Sequence, residues 1–280
     1  KAINIVKAAI AKVRYAETLE PIRVAAEKSV AVIGAGVAGM KAAIQLSNLG
    51  CRVYLIEREH FVGGRVAQWD TLFTTNETGK ELITRLYNEV IAKKNITLYT
   101  GAELISNAGN IGDFKIKVKI TPRYVKENCI DDELQKAISV CPVVVPDDFN
   151  FDITNRKAIY RNYPSEYPQL PAINMKDCSR CGECGKVCSA VDLTQKEEII
   201  DITVGTILMA TGFDPYTPAD GEFGYNTIKN VVTLPQFKKI ADLNDKKLIF
   251  NGREIKHIAY IYCVGSRQTE GDNKYCSRYC

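Results

Sequence analysis

The chain has 280 residues, of which 46% are hydrophobic and 25% charged, and its formal net charge is +4. This composition is typical of a globular protein with one or two domains. The positive charge is too small and too dispersed to indicate nucleic-acid binding. The longest apolar run, residues 30–40, is too short and too rich in glycine to span a bilayer.

The cysteines indicate the compartment. The chain has ten cysteines, which are clustered rather than dispersed, and this favours metal ligation in a reducing cytoplasm over disulfide formation. The first residues predict an amphipathic helix, and no signal peptide is visible. The sequence begins without Met and ends inside a cysteine-rich segment, so we expect a piece of a longer chain, missing sequence at both ends.

Periodicity predicts a helix over residues 2–19, closed by Pro21. A strand over 29–33, a helix over 37–49 and a strand over 52–56 follow. This β-α-β unit has the short length that is typical of one mononucleotide-binding half of a Rossmann fold.

The next segments alternate between regular and irregular patterns. We predict a helix over 81–93 and strands over 96–99, 114–120, 202–204, 207–210 and 258–263, the last one buried. Residues 122–192 are rich in proline and cysteine and have long irregular connections. Such connections are uncommon in a compact core but normal around a metal cluster.

A glycine-rich turn follows the first strand and opens the next helix. Its residues are Gly34-Ala35-Gly36-Val37-Ala38-Gly39. Gly34 permits the tight turn, Gly36 lets a pyrophosphate approach the backbone, and Gly39 allows close packing of helix and strand. Glu57 ends the second strand and should accept hydrogen bonds from a ribose. The alternative is a glycine-rich turn without a ligand.

The residues after Glu57 favour FAD over NAD. Gly63-Gly64-Arg65 resembles the extension found in two-dinucleotide-binding flavoproteins, and Ala210-Thr211-Gly212 resembles a second motif of those families. Arg58 and Arg65 join the cofactor-binding set, although Arg65 also fits a solvated surface side chain. His60 and His257 are isolated and receive no role.

Four cysteines form a C-x2-C-x2-C-x3-C run: Cys178, Cys181, Cys184 and Cys188. Two-residue gaps wrap the backbone around a compact iron–sulfur cluster, and Gly182 and Gly185 ease the tight turns. The alternative is a structural zinc site, which more often uses two separated pairs.

The motifs together resemble the A-type flavoprotein family of heterodisulfide reductases over almost the whole chain. The segments that carry the resemblance are VIGAGVAG (32–39), GGRVAQ (63–68), PRYV (122–125), KAIY (157–160), ATGFDP (210–215), CVGSR (263–267) and YCSRYC (275–280). The resemblance implies an α/β, thioredoxin-reductase-like FAD fold with an inserted ferredoxin-like domain.

The resemblance implies five segments. They are an N-terminal helical segment (1–28), the first part of the FAD-binding domain (29–121), the iron–sulfur insertion (122–194), the second part of the FAD-binding domain (195–250) and the start of a second Rossmann-like domain (251–280).

The insertion departs from the family pattern of two four-cysteine runs, because only Cys129 and Cys141 remain of the first. In ferredoxins the last cysteine of such a run ligates the other cluster. The resemblance therefore implies one four-iron–four-sulfur cluster, held by Cys178, Cys181, Cys184 and Cys141. The alternative keeps Cys188 as the fourth ligand. A further family cysteine is absent from residues 73–78.

Cys263, Cys276 and Cys280 form a separate, irregular set. The family implies a second four-iron–four-sulfur cluster here, completed by a cysteine beyond Cys280. The alternative is a set of unliganded thiols.

The resemblance implies an oxidoreductase subunit that relays electrons between a two-electron flavin and one-electron clusters, with other subunits of a heterodisulfide-reductase-like complex as partners. A homodimer is compatible with this role. The loss of family cysteines is similar to the loss in shortened relatives that belong to sulfur metabolism. No residue is identified as a general acid, base or nucleophile. The alternatives are a stand-alone NAD(P)H-dependent flavin dehydrogenase, which needs a second glycine motif, a flavoprotein subunit of a quinone-interacting membrane-bound oxidoreductase, and a zinc-stabilised interaction module.

Overall fold

The structure is a computed structural model, and it describes residues 1–17, 25–72, 75, 77–126, 131–162, 166–244 and 247–278. No helix in these ranges is both long enough and apolar enough to cross a membrane.

A four-stranded parallel sheet forms the centre of the nucleotide-binding fold. Its elements are β1 Ser29–Ile33, α2 Val37–Asn48, β2 Arg52–Glu57, α3 Gly79–Ile91, β3 Ile96–Thr100 and β11 Thr206–Met209. The strand order is β11-β1-β2-β3, and α2 and α3 connect neighbouring strands.

Both faces of this sheet are covered by other elements, and successive side chains of a strand point to opposite faces. Val30 and Val32 of β1 pack with residues of α2 and α3, whereas Ala31 between them packs with a second sheet. The strands of that sheet are β4 Ala102–Asn110, β5 Asp113–Ile120 and β10 Glu198–Val204. They are antiparallel, in the order β10-β5-β4.

The cysteine-rich segment begins and ends at neighbouring positions of the antiparallel sheet. β5 ends at Ile120, and its partner in the antiparallel register is Glu198, the first residue of β10. The chain between them therefore forms an insertion with its own hydrophobic core. Its elements are α4 Asp131–Val140, β6 Val145–Pro146, β7 Asn155–Arg156, β8 Ile159–Tyr160, β9 Ala172–Ile173 and α5 Glu183–Val187. They include two short antiparallel pairs, β6–β7 and β8–β9.

The remaining α-helices and strands lie near the two ends of the chain. They are α1 Ala2–Arg14, α6 Leu234–Asp242, β12 Ile249–Phe250 and β13 Arg253–Glu254. Three short 3-10 helices span Gly64–Gln68, Asp148–Asn150 and Glu222–Gly224. The first helix has no buried residue, whereas α6 is capped by Thr233 and Gln236 and buries Ile240.

Most predicted elements occur with small changes in their ends, but one is wrong. Residues 258–263 do not form a buried strand; Ile258, Ile261 and Tyr262 are 51–68% exposed. A buried parallel strand needs hydrogen-bonding neighbours, and the described residues supply none here. The first helix ends at Arg14 rather than at residue 19. The long strand β4 was missed because most of its residues are exposed, so its sequence lacks an apolar pattern.

Candidate functional site

The turn between β1 and α2 is glycine-rich partly because the protein packs closely around it. Gly34 has a φ of +103°, and a Cβ there would lie 2.4 Å from the Ala210 carbonyl oxygen. At Gly39 a Cβ would lie 1.8 Å from the Gly34 carbonyl oxygen. Both positions therefore require glycine for internal packing.

Gly36 differs from these two glycines. Its φ of −71° and ψ of −177° suit any residue. The nearest heavy atom to a Cβ at this position would be the Gly64 Cα, 4.0 Å away. Neither conformation nor packing within the protein demands glycine here. The position borders open space at the N-terminus of α2, where unpaired N–H groups attract phosphate.

The second glycine pair flanks the same turn. The Gly63 amide donates to the Ala35 carbonyl at 2.9 Å, and Gly36 and Gly63 form an isolated parallel bridge. Gly63 and Gly64 both have positive φ values, +115° and +54°. The structure thus brings together two motifs that lie some 30 residues apart in the sequence.

Glu57 is fixed by two backbone amides. Its carboxylate accepts from the Ala35 N–H at 2.6 Å and from the Glu59 N–H at 2.9 Å. The side chain is buried, and burial raises the pKa of Glu57, while the two amide hydrogen bonds oppose that rise. Each carboxylate oxygen has a second lone pair, so the group retains acceptor capacity for hydroxyls.

The other predicted cofactor residues divide into two groups. Ala210 lies beside the turn, because its amide donates to the Ile33 carbonyl at 2.8 Å, and Thr211 and Gly212 follow it at the exposed end of β11. Val37 and Ala38 form the first turn of α2. By contrast, Arg58 is exposed beside Glu59, and the Arg65 guanidinium binds the Asp214 carboxylate at 2.9 Å.

Four cysteines line one cleft in the insertion. Cys141, Cys178, Cys181 and Cys184 line this cleft together with the apolar side chains of Val143, Ile159 and Ile173. Burial raises the pKa of the Cys184 thiol, and the thiols of the other three raise it further, so all four groups lie within electrostatic range. Cys141 joins the run although it lies 37 residues before Cys178.

Local geometry shapes this cleft. Gly182 and Arg180 both have positive φ values, and the Arg180 amide donates to the Cys178 sulfur at 3.3 Å. Amide donors to sulfur are one of the means by which proteins tune iron–sulfur clusters. Within the described ranges, no group of three cysteine, histidine or acidic side chains is placed to hold a single metal ion.

Cys188 occupies a different position. It is 1% exposed and shares the hydrophobic core of the insertion with Cys141 and Cys184, but unlike them it is not among the residues that line the cleft.

The last cysteine set is described only in part. Cys263 is partly buried with a φ of +63°, and Cys276 is exposed, with its sulfur accepting from the Arg278 amide at 3.4 Å. Cys129 and Cys280 lie outside the described residues, as do positions 73, 74 and 76.

Several residues lie between the glycine turn and the cysteine cleft, and the sequence by itself indicates no role for them. Phe61 precedes the Gly63 turn, and its ring contacts that of Tyr160, which follows the cleft residue Ile159. Lys157 donates to the Cys141 carbonyl oxygen. The KAIY segment is a family motif in the sequence, but only the tertiary structure connects it with both sites.

Comparison with known proteins first defines the class. The family model for FAD-dependent oxidoreductases matches residues 29–138, which include the glycine turn, Glu57 and the second glycine pair. The chain therefore carries an FAD-dependent oxidoreductase fold of mixed α/β type.

Matches over the whole chain then give the family. The chain is 36% identical over 292 residues to the A-type subunit of the H(2):CoB-CoM heterodisulfide,ferredoxin reductase of Methanothermobacter marburgensis. It is 37% identical over 288 residues to an A-type iron-sulfur subunit of the CoB--CoM heterodisulfide reductase of Methanopyrus kandleri. Both alignments cover 100% of this chain and 44% of the relative. The chain belongs to the A-type family of heterodisulfide reductase subunits, and it spans less than half the length of these relatives.

Among solved structures, the thioredoxin reductase of T. acidophilum matches at 23% identity with a TM-score of 0.29. That alignment covers 33% of this chain and 31% of the reductase.

Proposed function

We propose that the chain binds FAD at the β1–α2 turn and one four-iron–four-sulfur cluster in the cysteine cleft, and that it transfers electrons within a heterodisulfide-reductase-like complex. The observation that carries this proposal is the position of Cys141. A cysteine remote in sequence lines the same cleft as three closely spaced ones, as the crossed ligation of ferredoxins requires.

The fit to FAD rests on Gly36 and Glu57. The open side of Gly36 leaves room for a pyrophosphate at a helix N-terminus, and the fixed Glu57 carboxylate lies at the end of the adjacent strand. Gly34, Ala35, Val37, Ala38, Gly39, Gly63, Gly64, Ala210, Thr211 and Gly212 form or flank this turn in the proposal. Arg58 and Arg65 remain proposed contacts, and Arg65 would have to exchange Asp214 for the cofactor.

The fit to a cluster rests on the donor set and its surroundings. Four of the described cysteines line one cleft with apolar walls, and four thiolates are the usual ligand set of a four-iron–four-sulfur cluster. In this proposal Cys141, Cys178, Cys181 and Cys184 are the ligands, and Cys188 is a core residue. When bound, the flavin would supply two-electron chemistry and the cluster one-electron transfer.

Wider parts of the proposal concern the longer protein. Its relatives are named as subunits of heterodisulfide reductases, so we propose that this chain also works with other subunits in the cytoplasm. A homodimer is compatible with this proposal. We retain the five-segment division, including the ferredoxin-like character of the insertion and the FAD-binding role of 195–250. We also retain a second cluster at Cys263, Cys276 and Cys280.

The test compares two cysteine variants after anaerobic purification and cluster reconstitution. A Cys276→Ala background removes any contribution from the second set. Within it, Cys141→Ala should lose most of the iron and sulfide, because one iron would lack its thiolate. Cys188→Ala should keep both, since Cys188 does not line the cleft.

Two results would contradict the proposal. One is iron loss in Cys188→Ala with full retention in Cys141→Ala, which would assign the cluster to the four-cysteine run alone. The other is an unmodified chain that never acquires iron and sulfide under conditions in which it is folded. FAD content, measured on the same samples, checks the flavin site separately.

A further inference from the structure

Lys157 connects the cysteine cleft to its most remote cysteine. Its ammonium group donates to the backbone carbonyl oxygen of Cys141 at 2.7 Å. The next two residues, Ala158 and Ile159, form part of the wall of the cleft. Lys157 therefore ties the segment that carries Cys141 to the wall that faces the other three thiols.

The carbonyl that Lys157 binds directly follows a helix. α4 ends at Val140, so the Cys141 carbonyl lies at the end where the helix dipole places partial negative charge. A negative helix end beside a cluster disfavours the addition of an electron, and a bound ammonium group counteracts it.

Lys157 and the preceding residue, Arg156, differ in the partners of their positive charges. Arg156 binds the carboxylates of Asp148 at 3.0 Å and Asp177 at 3.2 Å, and its guanidinium covers the Tyr160 ring. Lys157 instead binds a neutral carbonyl, and no carboxylate of the described residues lies within 4.0 Å of it. Of these two neighbouring cations, Lys157 is therefore the one whose charge no carboxylate of the described residues offsets.

We infer that Lys157 is a positioning residue for the iron–sulfur site: it holds Cys141 in place, and its charge raises the reduction potential of the cluster. The inference rests on the proposed function, because it assumes that Cys141 is a ligand. Adding one electron makes the cluster more negative by one charge, so a nearby cation stabilises the reduced form. Hydrogen bonds and charge around a cluster are known determinants of its potential.

Three variants separate charge from position. Lys157→Gln keeps a hydrogen-bond donor and removes the charge, whereas Lys157→Arg keeps both. Lys126→Gln is the matched control, because Lys126 lies at the start of the same insertion but is 54% exposed and paired with Asp192 at 3.1 Å. All are made in the Cys276→Ala background. The readouts are iron and sulfide per chain and the midpoint potential of the cluster, from anaerobic titration followed by electron paramagnetic resonance.

We expect Lys157→Gln to bind as much iron as the parent but to have a lower midpoint potential, while Lys157→Arg and Lys126→Gln match the parent. A parental potential in Lys157→Gln would overturn the inference, as would an equal shift in Lys126→Gln. If Lys157→Gln loses its iron, the result for Lys157→Arg is decisive. Parental iron content and midpoint potential in Lys157→Arg would support the proposed role of Lys157. Loss of iron in both variants would overturn it. A parent chain without iron would instead contradict the proposed function.

Discussion

The rings of Phe61 and Tyr160 meet edge to face, with their centroids 5.9 Å apart and an interplanar angle of 73°. Phe61 belongs to the segment that leads into the Gly63 turn, and Tyr160 ends the short strand that begins at the cleft residue Ile159. The Arg123 guanidinium lies over the Phe61 ring, 5.0 Å from its centroid. One aromatic contact thus joins the candidate flavin and iron–sulfur sites.

This contact should stabilise the docking of the insertion on the nucleotide-binding fold. In a double-mutant cycle of Phe61→Leu and Tyr160→Leu, we expect a coupling free energy of about 0.5–1.5 kcal/mol, the usual value for an aromatic pair beyond its burial. Urea unfolding of the four proteins measures it. Strict additivity of the two single substitutions would show that the rings are neighbours without being coupled.

The two types of glycine in the first turn should respond differently to substitution. Gly36→Ala, and more strongly Gly36→Val, should leave the chain folded but lower its FAD affinity by at least about tenfold, equivalent to about 1.4 kcal/mol. The reason is that the added Cβ meets open space in the protein but obstructs the approach of a pyrophosphate. Flavin absorbance per chain and circular dichroism measure the two properties.

Gly39→Ala provides the contrast, because its Cβ would collide with the Gly34 carbonyl oxygen. We expect it to destabilise the fold by about 1–3 kcal/mol, with flavin loss as a consequence. Full flavin occupancy in Gly36→Val would disprove the assignment of the phosphate site.

Nicotinamide nucleotides should not reduce the flavin of this chain directly at a useful rate. The sequence contains one glycine fingerprint, at residues 34–39, and the segment 258–263 that a second nucleotide fold would use is not a buried strand. Anaerobic mixing of the flavin-loaded chain with NADH or NADPH, followed at the flavin absorption band, checks this. Rapid bleaching would favour a stand-alone dehydrogenase.

His60 should make the fold sensitive to acid. Burial and then the nearby Arg123 lower the pKa of His60 to about 4, and among the described residues its Nδ1 has no hydrogen-bond partner. Between about pH 6.5 and 4 the unfolded chain binds a proton that the folded chain does not, so stability falls as the pH falls through this window. The loss from this group is on the order of 3 kcal/mol.

Unfolding in urea at about pH 7.5 and about pH 5, on either side of the unfolded-state pKa, measures this effect. His60→Gln should weaken the pH dependence. An identical pH dependence in His60→Gln and the parent would show that other groups are responsible.

The sequence alone was sufficient for the nucleotide-binding half of the fold. The strand at 29–33 has the predicted bounds, and the following helix and strand differ from them by one residue each. These elements are specified locally, because β-branched residues, a glycine turn with a positive φ and helical periodicity all act within a short stretch of chain. For the fourth cluster ligand, the sequence favours Cys141 over Cys188 only through analogy with ferredoxins, and this assignment stays a prediction.

Only the tertiary structure decided how remote segments meet. Nothing in the pattern around Cys141 or Lys157 reveals that the two are hydrogen-bonded, because a chain segment that separates residues 16 positions apart can close in many ways. The same holds for the contact of Phe61 with Tyr160. The failed strand at 258–263 has the converse cause: an apolar run favours burial, but a strand forms only where another strand is available to pair with it.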